Sequence, residues 1–214
     1  MSKGSWAEER KSIISNIGKV LVKSGALKFG TFTLTSGKLS SYYVDLRIVP
    51  SIPGVFREVI HAYVSLIKKS VPLGEIGAIG GIPTAGLTYA TAVSYELAKP
   101  LIYVRKEERQ HGTGKDVEGL LSPGAQVVII DDVITTGSSI ISAVNAIRNN
   151  GGIVKRAAVL IDRLEGGKEN LAKIGVTLVP LTSIVEITDF LYDMSIIEDS
   201  NRIAIYAQAG LSKS

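Results

Sequence analysis

The sequence predicts an α/β fold: a mainly parallel central sheet with helices on both faces, plus a small hood from the N-terminal segment and the C-terminal tail. Three observations carry this. Between about residues 70 and 185, short and nearly all-apolar runs alternate with helical stretches, the pattern of strands buried on both faces. One such run, Val127–Ile130, leads straight into two carboxylates and a Thr/Gly/Ser segment that opens a helix. Ahead of residue 50 the pattern is different, a helix followed by alternating strand-like residues, which suits an accessory layer. With no internal repeat, low-complexity stretch or Pro-rich linker, the 214 residues read as one domain, with its core at about 70–185 and the hood from about 1–50 and the tail.

The elements follow in order. Ile13, Ile14, Ile17, Val20 and Leu21 have helical spacing, so a helix is expected from Glu8 to Ser24, with Gly25 as its C-cap. Phe32 and Leu34 alternate, a Ser/Gly/Lys turn follows, and Tyr43 to Leu46 reads as a second short strand. Pro53 opens a helix through Lys69, with Val55, Val59, Ile60, Tyr63 and Ile67 on one side. Then come a strand Ile76–Ile79, the segment GGIPTAG, a helix Leu87–Leu97 and a strand Leu101–Val104. A long polar stretch separates these from the strand Val127–Ile130, whose following helix ends near Asn150-Gly151-Gly152. A strand Lys155–Ile161, a helix around Lys168–Ile174 and a strand Thr177–Leu181 complete the core.

Composition narrows the chemistry. Cysteine is absent, so a disulfide framework and a thiolate nucleophile are excluded, and with only two histidines a multi-histidine zinc site is not expected. A net charge of +4 is a mild pointer to anionic ligands and no argument for nucleic acid. The N-terminus is polar and charged, and the apolar runs are far shorter than the roughly 18–20 residues a spanning helix needs. No membrane segment and a cytoplasmic location are therefore expected.

VVIIDDVITTGSSI, Val127 to Ile140, is the strongest motif. A helix N-terminus offers unpaired N–H groups and a positive dipole end to a phosphate. Thr135, Thr136, Ser138 and Ser139 add hydroxyls, and Gly137 lets the backbone come close. Asp131 and Asp132 suit ribose hydroxyls or a hydrated magnesium ion. Neither the G-x-x-x-x-G-K-[ST] phosphate loop nor a G-x-G-x-x-G fingerprint after a strand is present. The stretch YVRKEERQHGTGKDVEG, Tyr103 to Gly119, almost cancels in charge, as a solvated loop would, yet its length and glycines suit a lid.

The first of these motifs resembles the phosphoribosyl-pyrophosphate motif of the type I phosphoribosyltransferases. Within that superfamily, Arg105, Lys106, Arg109 and His111 resemble the lid of the orotate phosphoribosyltransferases, with Arg109 where those enzymes commonly carry Lys. FTLTSGKLSSYYVDLR, Phe32 to Arg47, resembles their base-binding segment, with Thr35 at a common Lys position. GGIPTAG resembles their pyrophosphate loop, with Ala85 where many carry Lys, and Asp162-Arg163 resembles their Asp-Arg pair. The resemblance implies the type I fold and transfer of a 5-phosphoribosyl group to orotate. It implies phosphoribosyl pyrophosphate bound by Arg105, Lys106, Arg109, His111 and Asp131, Asp132, Val133, Ile134, Thr135, Thr136, Gly137, Ser138 and Ser139. Arg109, His111, Asp131 and Asp132 would act in catalysis, and Tyr43, Val44, Thr135 and Arg163 would contact orotate. It further implies Mg2+, held mainly through substrate and water, and a homodimer whose lids serve the neighbouring subunit. Two rivals stand beside it: a relative using a purine or uracil, and a sensor that binds phosphoribosyl pyrophosphate without catalysis. The retained lid residues speak against the sensor.

Overall fold

The computed structural model describes residues 5–33, 37, 39–105 and 116–211. Along the chain run α1 (Trp6–Lys23), β1 (Leu27–Thr33), β2 (Leu39–Val44), α2 (Pro53–Ser70), β3 (Ala78–Gly81), α3 (Ala85–Leu97), β4 (Leu101–Val104) and β5 (Val117–Glu118). Then come β6 (Gln126–Ile134), α4 (Ser138–Asn149), β7 (Ile153–Asp162), α5 (Gly167–Lys173), β8 (Thr177–Ser183), α6 (Ile184–Asp193) and α7 (Asp199–Gln208). They form two compact units, residues 60–181 and residues 1–59 with 182–214.

The larger unit holds a six-stranded sheet of order β5-β4-β3-β6-β7-β8. β3 runs parallel to β4 and β6, and β6 runs parallel to β7, while β5 is antiparallel to β4. Two consecutive glycines of β3 show that helices cover both faces. A Cβ on Gly81 would lie 3.0 Å from Ala90 and Leu87 of α3, whereas one on Gly80 would lie 3.5 Å from Ile147 of α4. Adjacent strand residues point to opposite faces, so α3 and α4 cover opposite sides. Val127–Ile130 are all buried, as strands enclosed on both faces require.

Three details differ from the sequence expectation. β6 continues through Asp131 and Asp132 to Ile134, because that stretch keeps its pairing with β7, Asp131 opposite Val159 and Ile134 opposite Asp162. Polar side chains do not prevent a strand that has a paired neighbour. β1 starts at Leu27, ahead of the Phe32–Leu34 alternation, and carries an irregularity between Phe29 and Phe32. β5 is two residues long, too short to leave a periodic signal.

The smaller unit pairs β1 and β2 as an antiparallel ribbon and adds α1, α6 and α7. α1 packs on α6 through Gly18, where a Cβ would lie 3.4 Å from Ile187 and 3.5 Å from Leu191. Arg10 donates to both carboxylate oxygens of Glu186 at 2.7 and 2.6 Å, and Thr182 Oγ1 donates to the same carboxylate at 2.8 Å. Gln208 of α7 accepts from Ser41 N–H at 2.8 Å and donates to Ser40 Oγ at 3.0 Å, tying the last helix to β2. Among the described residues no helix is long and apolar enough to cross a membrane.

Candidate active site

β4 lies on one side of β3 and β6 on the other, so the sheet order reverses between β3 and β6. In open α/β sheets a ligand crevice forms at such a reversal, beyond the carboxyl ends of the strands. Gly81, the last residue of β3, is level with Ile130 of β6. β6 therefore projects four residues farther, and Asp131 to Ile134 border the crevice on their β3 side while β7 pairs with the other. The segments after the two strands, Ile82–Thr84 and Thr135–Gly137, flank the reversal. The Pro83–Thr84 peptide is cis.

The turn after β6 closes on a cavity of about 100 Å³ lined by Asp131 and by Val133 through Ile140. That is room for a small anion such as a phosphoryl group together with water. Gly137 caps α4 with φ 82°, a left-handed conformation that strains any residue with a Cβ. The first intrahelical bond behind it is Ile141 N–H to Gly137 O at 2.9 Å. The first-turn N–H groups have no acceptor within the helix and are available to an anion. Thr136, Ser138 and Ser139 are exposed and Thr135 is half-buried, so the hydroxyls stand around this mouth.

The two acids differ. Asp131 is buried, and its Oδ1 accepts the Asp132 N–H at 3.0 Å. Burial, reinforced by the neighbouring Asp132 charge, holds the Asp131 carboxyl well above the usual carboxylate range. Asp132 is half-buried and does not line the phosphate-sized cavity. The Asp131 backbone is anchored from α2, where Tyr63 Oη donates to Asp131 O at 2.7 Å. Tyr63 is fully buried, and burial raises its phenol, which stays a donor. The first turn of α3 sits against the same spot: a Cβ on Gly86 would lie 2.5 Å from Asp131 Oδ1.

Arg163, two residues beyond the β7 residue paired with Val133, is buried, and its guanidinium meets Glu165 Oε1 through Nε at 3.0 Å and Nη2 at 2.9 Å. Arg105 directly follows β4, with Nη1 on Glu118 Oε1 at 2.6 Å. Tyr43 and Val44 end β2, in the smaller unit, where Tyr43 Oη accepts from Arg47 Nη2 at 3.3 Å. Lys106, Arg109 and His111, like Thr35, lie outside the described residues. Tyr63 and Gly86 are the support residues that motif reading misses. Tyr63 reads only as one member of an apolar helix face, and Gly86 only as part of a loop.

The comparisons agree with this geometry. Residues 49–194 match the model of the phosphoribosyl transferase domain. The orotate phosphoribosyltransferase of Cenarchaeum symbiosum is 41% identical over 184 residues, 86% of this chain and 92% of that one. The orotate phosphoribosyltransferase of Methanocaldococcus jannaschii is 41% identical over 179 residues, 84% and 97% of the two chains. In three dimensions, orotate phosphoribosyltransferase from Aeropyrum pernix aligns at a TM-score of 0.73 with 37% identity, covering 85% of this chain and 99% of that one. Leishmania donovani UMP synthase aligns at 0.82 with 32% identity over 94% of this chain, which spans only 43% of that protein. With a domain match over most of its length and such relatives along nearly their whole chains, this chain belongs to the orotate phosphoribosyltransferase family.

Proposed function

We propose that the chain transfers the 5-phosphoribosyl group of phosphoribosyl pyrophosphate to N1 of orotate, giving orotidine 5′-monophosphate and pyrophosphate in pyrimidine biosynthesis. The observation that carries this reading is the phosphate-sized cavity at the start of α4, bordered by an acidic strand end at the sheet reversal. The bond from C1′ to pyrophosphate breaks as the bond to N1 forms. Positive charge gathers on the ribose and negative charge on the leaving group, and fixed electrostatics are what such a step needs.

Each residue then has a task. The turn Thr135–Ser139 takes the 5′-phosphate, with Val133 and Ile134 forming the strand side of the cavity. Asp131 and Asp132 take the ribose hydroxyls. Arg163 presents donors to the orotate carboxylate, and Thr135, Tyr43 and Val44 keep the base contacts that the family pattern gives them. Arg105, Lys106, Arg109 and His111 serve the leaving pyrophosphate and help to exclude water.

A divalent ion fits this site as a companion of the substrate. Among the described residues no group of three or more His, Asp or Glu side chains could cage one. The two adjacent carboxylates, one buried and biased toward its neutral form, suit a hydration shell better than direct ligation. When bound, Mg2+ neutralises charge on the pyrophosphate oxygens. The protein acts as a homodimer whose lids cross to the neighbouring subunit. Incubation with phosphoribosyl pyrophosphate, Mg2+ and orotate tests the reading: orotate absorbance falls as product forms, and an unchanged spectrum under these conditions contradicts it.

A further inference from the structure

The turn that lines the phosphate-sized cavity is backed by a second segment, which starts where β7 ends. Arg163 N–H donates to Ile134 O at 3.0 Å. Leu164 N–H donates to Asp162 Oδ1 at 2.8 Å, and Leu164 has φ 59°, so the chain reverses sharply there. Gly167 then lies flush against the cavity turn, since a Cβ on it would stand 2.6 Å from Thr135 O and 2.6 Å from Ile134 Cγ1. Farther along α5, Asn170 Nδ2 donates to Thr136 O at 3.0 Å. Its Oδ1 accepts from Lys173 Nζ at 3.0 Å, so both partners agree on which way the amide faces. Three successive carbonyls, of Ile134, Thr135 and Thr136, are thus met by residues 163–170.

Peptide geometry gives this a consequence for ligand binding. In a trans peptide the C=O and the N–H that follows it point in opposite directions. Thr136 O aimed at Asn170 sends the Gly137 N–H away from α5, and Ile134 O aimed at the Arg163 N–H does the same for Thr135 N–H. The lining of the cavity, Asp131 and Val133 to Ile140, includes none of residues 162–173, so the cavity opens on the side of the turn away from α5. We infer that Asn170 is a positioning residue for phosphate binding, holding Thr136 O so that the Gly137 N–H faces the cavity. The inference rests on the reading that the 5′-phosphate binds at Thr135–Ser139. An Asp at position 170 would set an acceptor against Thr136 O and place a negative charge behind the phosphate site.

Asn170 is half-buried on a surface helix and is not part of the apolar core, so its variants leave the core packing intact. Asn170→Ala is expected to raise the KM for phosphoribosyl pyrophosphate about fivefold, the scale of one hydrogen bond, and Asn170→Asp about tenfold or more. Calorimetric titration with ribose 5-phosphate should show the same order, while the orotate KM stays within about twofold and Tm falls by no more than about 4 °C. An unchanged KM for phosphoribosyl pyrophosphate, or an equal rise for both substrates with a larger fall in Tm, overturns the inference and leaves Asn170 a structural residue. Ser138→Asp separates the two layers, because a carboxylate in the first turn of α4 should abolish ribose 5-phosphate binding. If it does and the Asn170 variants bind normally, the positioning role alone fails. If Ser138→Asp also binds ribose 5-phosphate normally, the phosphate lies elsewhere and both readings fail.

Discussion

Gly86 and Gly54 occupy the same place, the second residue, in α3 and α2, and neither has a left-handed φ. They form a matched pair for testing how closely α3 abuts β6. Alanine is favoured over glycine inside helices by up to about 1 kcal/mol, and by less near the first turn. Nothing lies within 4 Å of a Cβ on Gly54, so Gly54→Ala should stabilise by about 0.5 kcal/mol. At Gly86 the same methyl would stand 2.5 Å from Asp131 Oδ1, 2.9 Å from Ile130 O and 3.0 Å from Asp131 Cα. The carboxylate can rotate away, but the carbonyl and Cα belong to the central strand and cannot. Overpacking of this kind costs about 1–3 kcal/mol, which outweighs the helix gain. With the helix gain of about 0.5 kcal/mol set against that cost, and at about 2–4 °C per kcal/mol for a chain of this size, Gly86→Ala should melt about 1–10 °C below wild type, and Gly54→Ala about 1–2 °C above it. Thermal unfolding by circular dichroism reads both. With Asp131 displaced, kcat should fall about tenfold or more in Gly86→Ala and hold in Gly54→Ala. A Gly86→Ala protein that melts at or above wild type with full activity refutes the close approach of α3 to Asp131.

Asp45 accepts the Arg47 guanidinium at 2.7 Å through both carboxylate oxygens, and that bond holds its carboxyl below the usual carboxylate range. A lowered folded pKa means stability that is present above the ordinary value near 3.9 and lost as pH falls through the folded value. Because Arg47 is exposed and Asp45 only half-buried, Asp45→Asn should cost only about 0.2–1 kcal/mol at pH 7 and progressively less as pH falls below about 3.9, and a Tm gap that ignores pH contradicts this. Arg163→Lys keeps the charge but loses the planar fork, so the orotate KM should rise about tenfold while that for phosphoribosyl pyrophosphate changes by less than about threefold. Equal effects on both substrates move the base site elsewhere. Mixing His111→Ala/Arg109→Ala subunits with Asp131→Asn/Asp132→Asn subunits, each inactive alone, should restore up to about a quarter of wild-type activity if lids cross the dimer. Recovery no better than the parents abandons shared sites.

What the sequence makes legible is what is local. The apolar runs at Ile76–Ile79, Val127–Ile130 and Lys155–Ile161 fall inside β3, β6 and β7 or within two residues of them, because a fully buried strand admits little else. The acids after Val127–Ile130 read as the end of a strand, and they continue it instead, since pairing with β7 outweighs their polarity. α6 and α7 go unread in the tail, although Ile184, Ile187 and Leu191 carry a helical spacing. The cavity turn is legible because its hydroxyls, its glycine and its carboxylates are consecutive. Its supports are not: Tyr63 reaches Asp131 across 68 residues of chain and Asn170 reaches Thr136 across 34, and no local pattern encodes such pairings.

The most direct test compares bases under one condition. Purified protein with phosphoribosyl pyrophosphate and Mg2+ is offered orotate, uracil, hypoxanthine and adenine separately, and the products are identified by mass together with the pyrophosphate released. Transfer to orotate, with one pyrophosphate per orotidine 5′-monophosphate and kcat/KM at least about a thousandfold above each other base, is the predicted result, because a site built for a carboxylate strongly penalises a base that leaves its donors unpaired. Comparable transfer to uracil or to either purine, or pyrophosphate release without any nucleotide, contradicts the account.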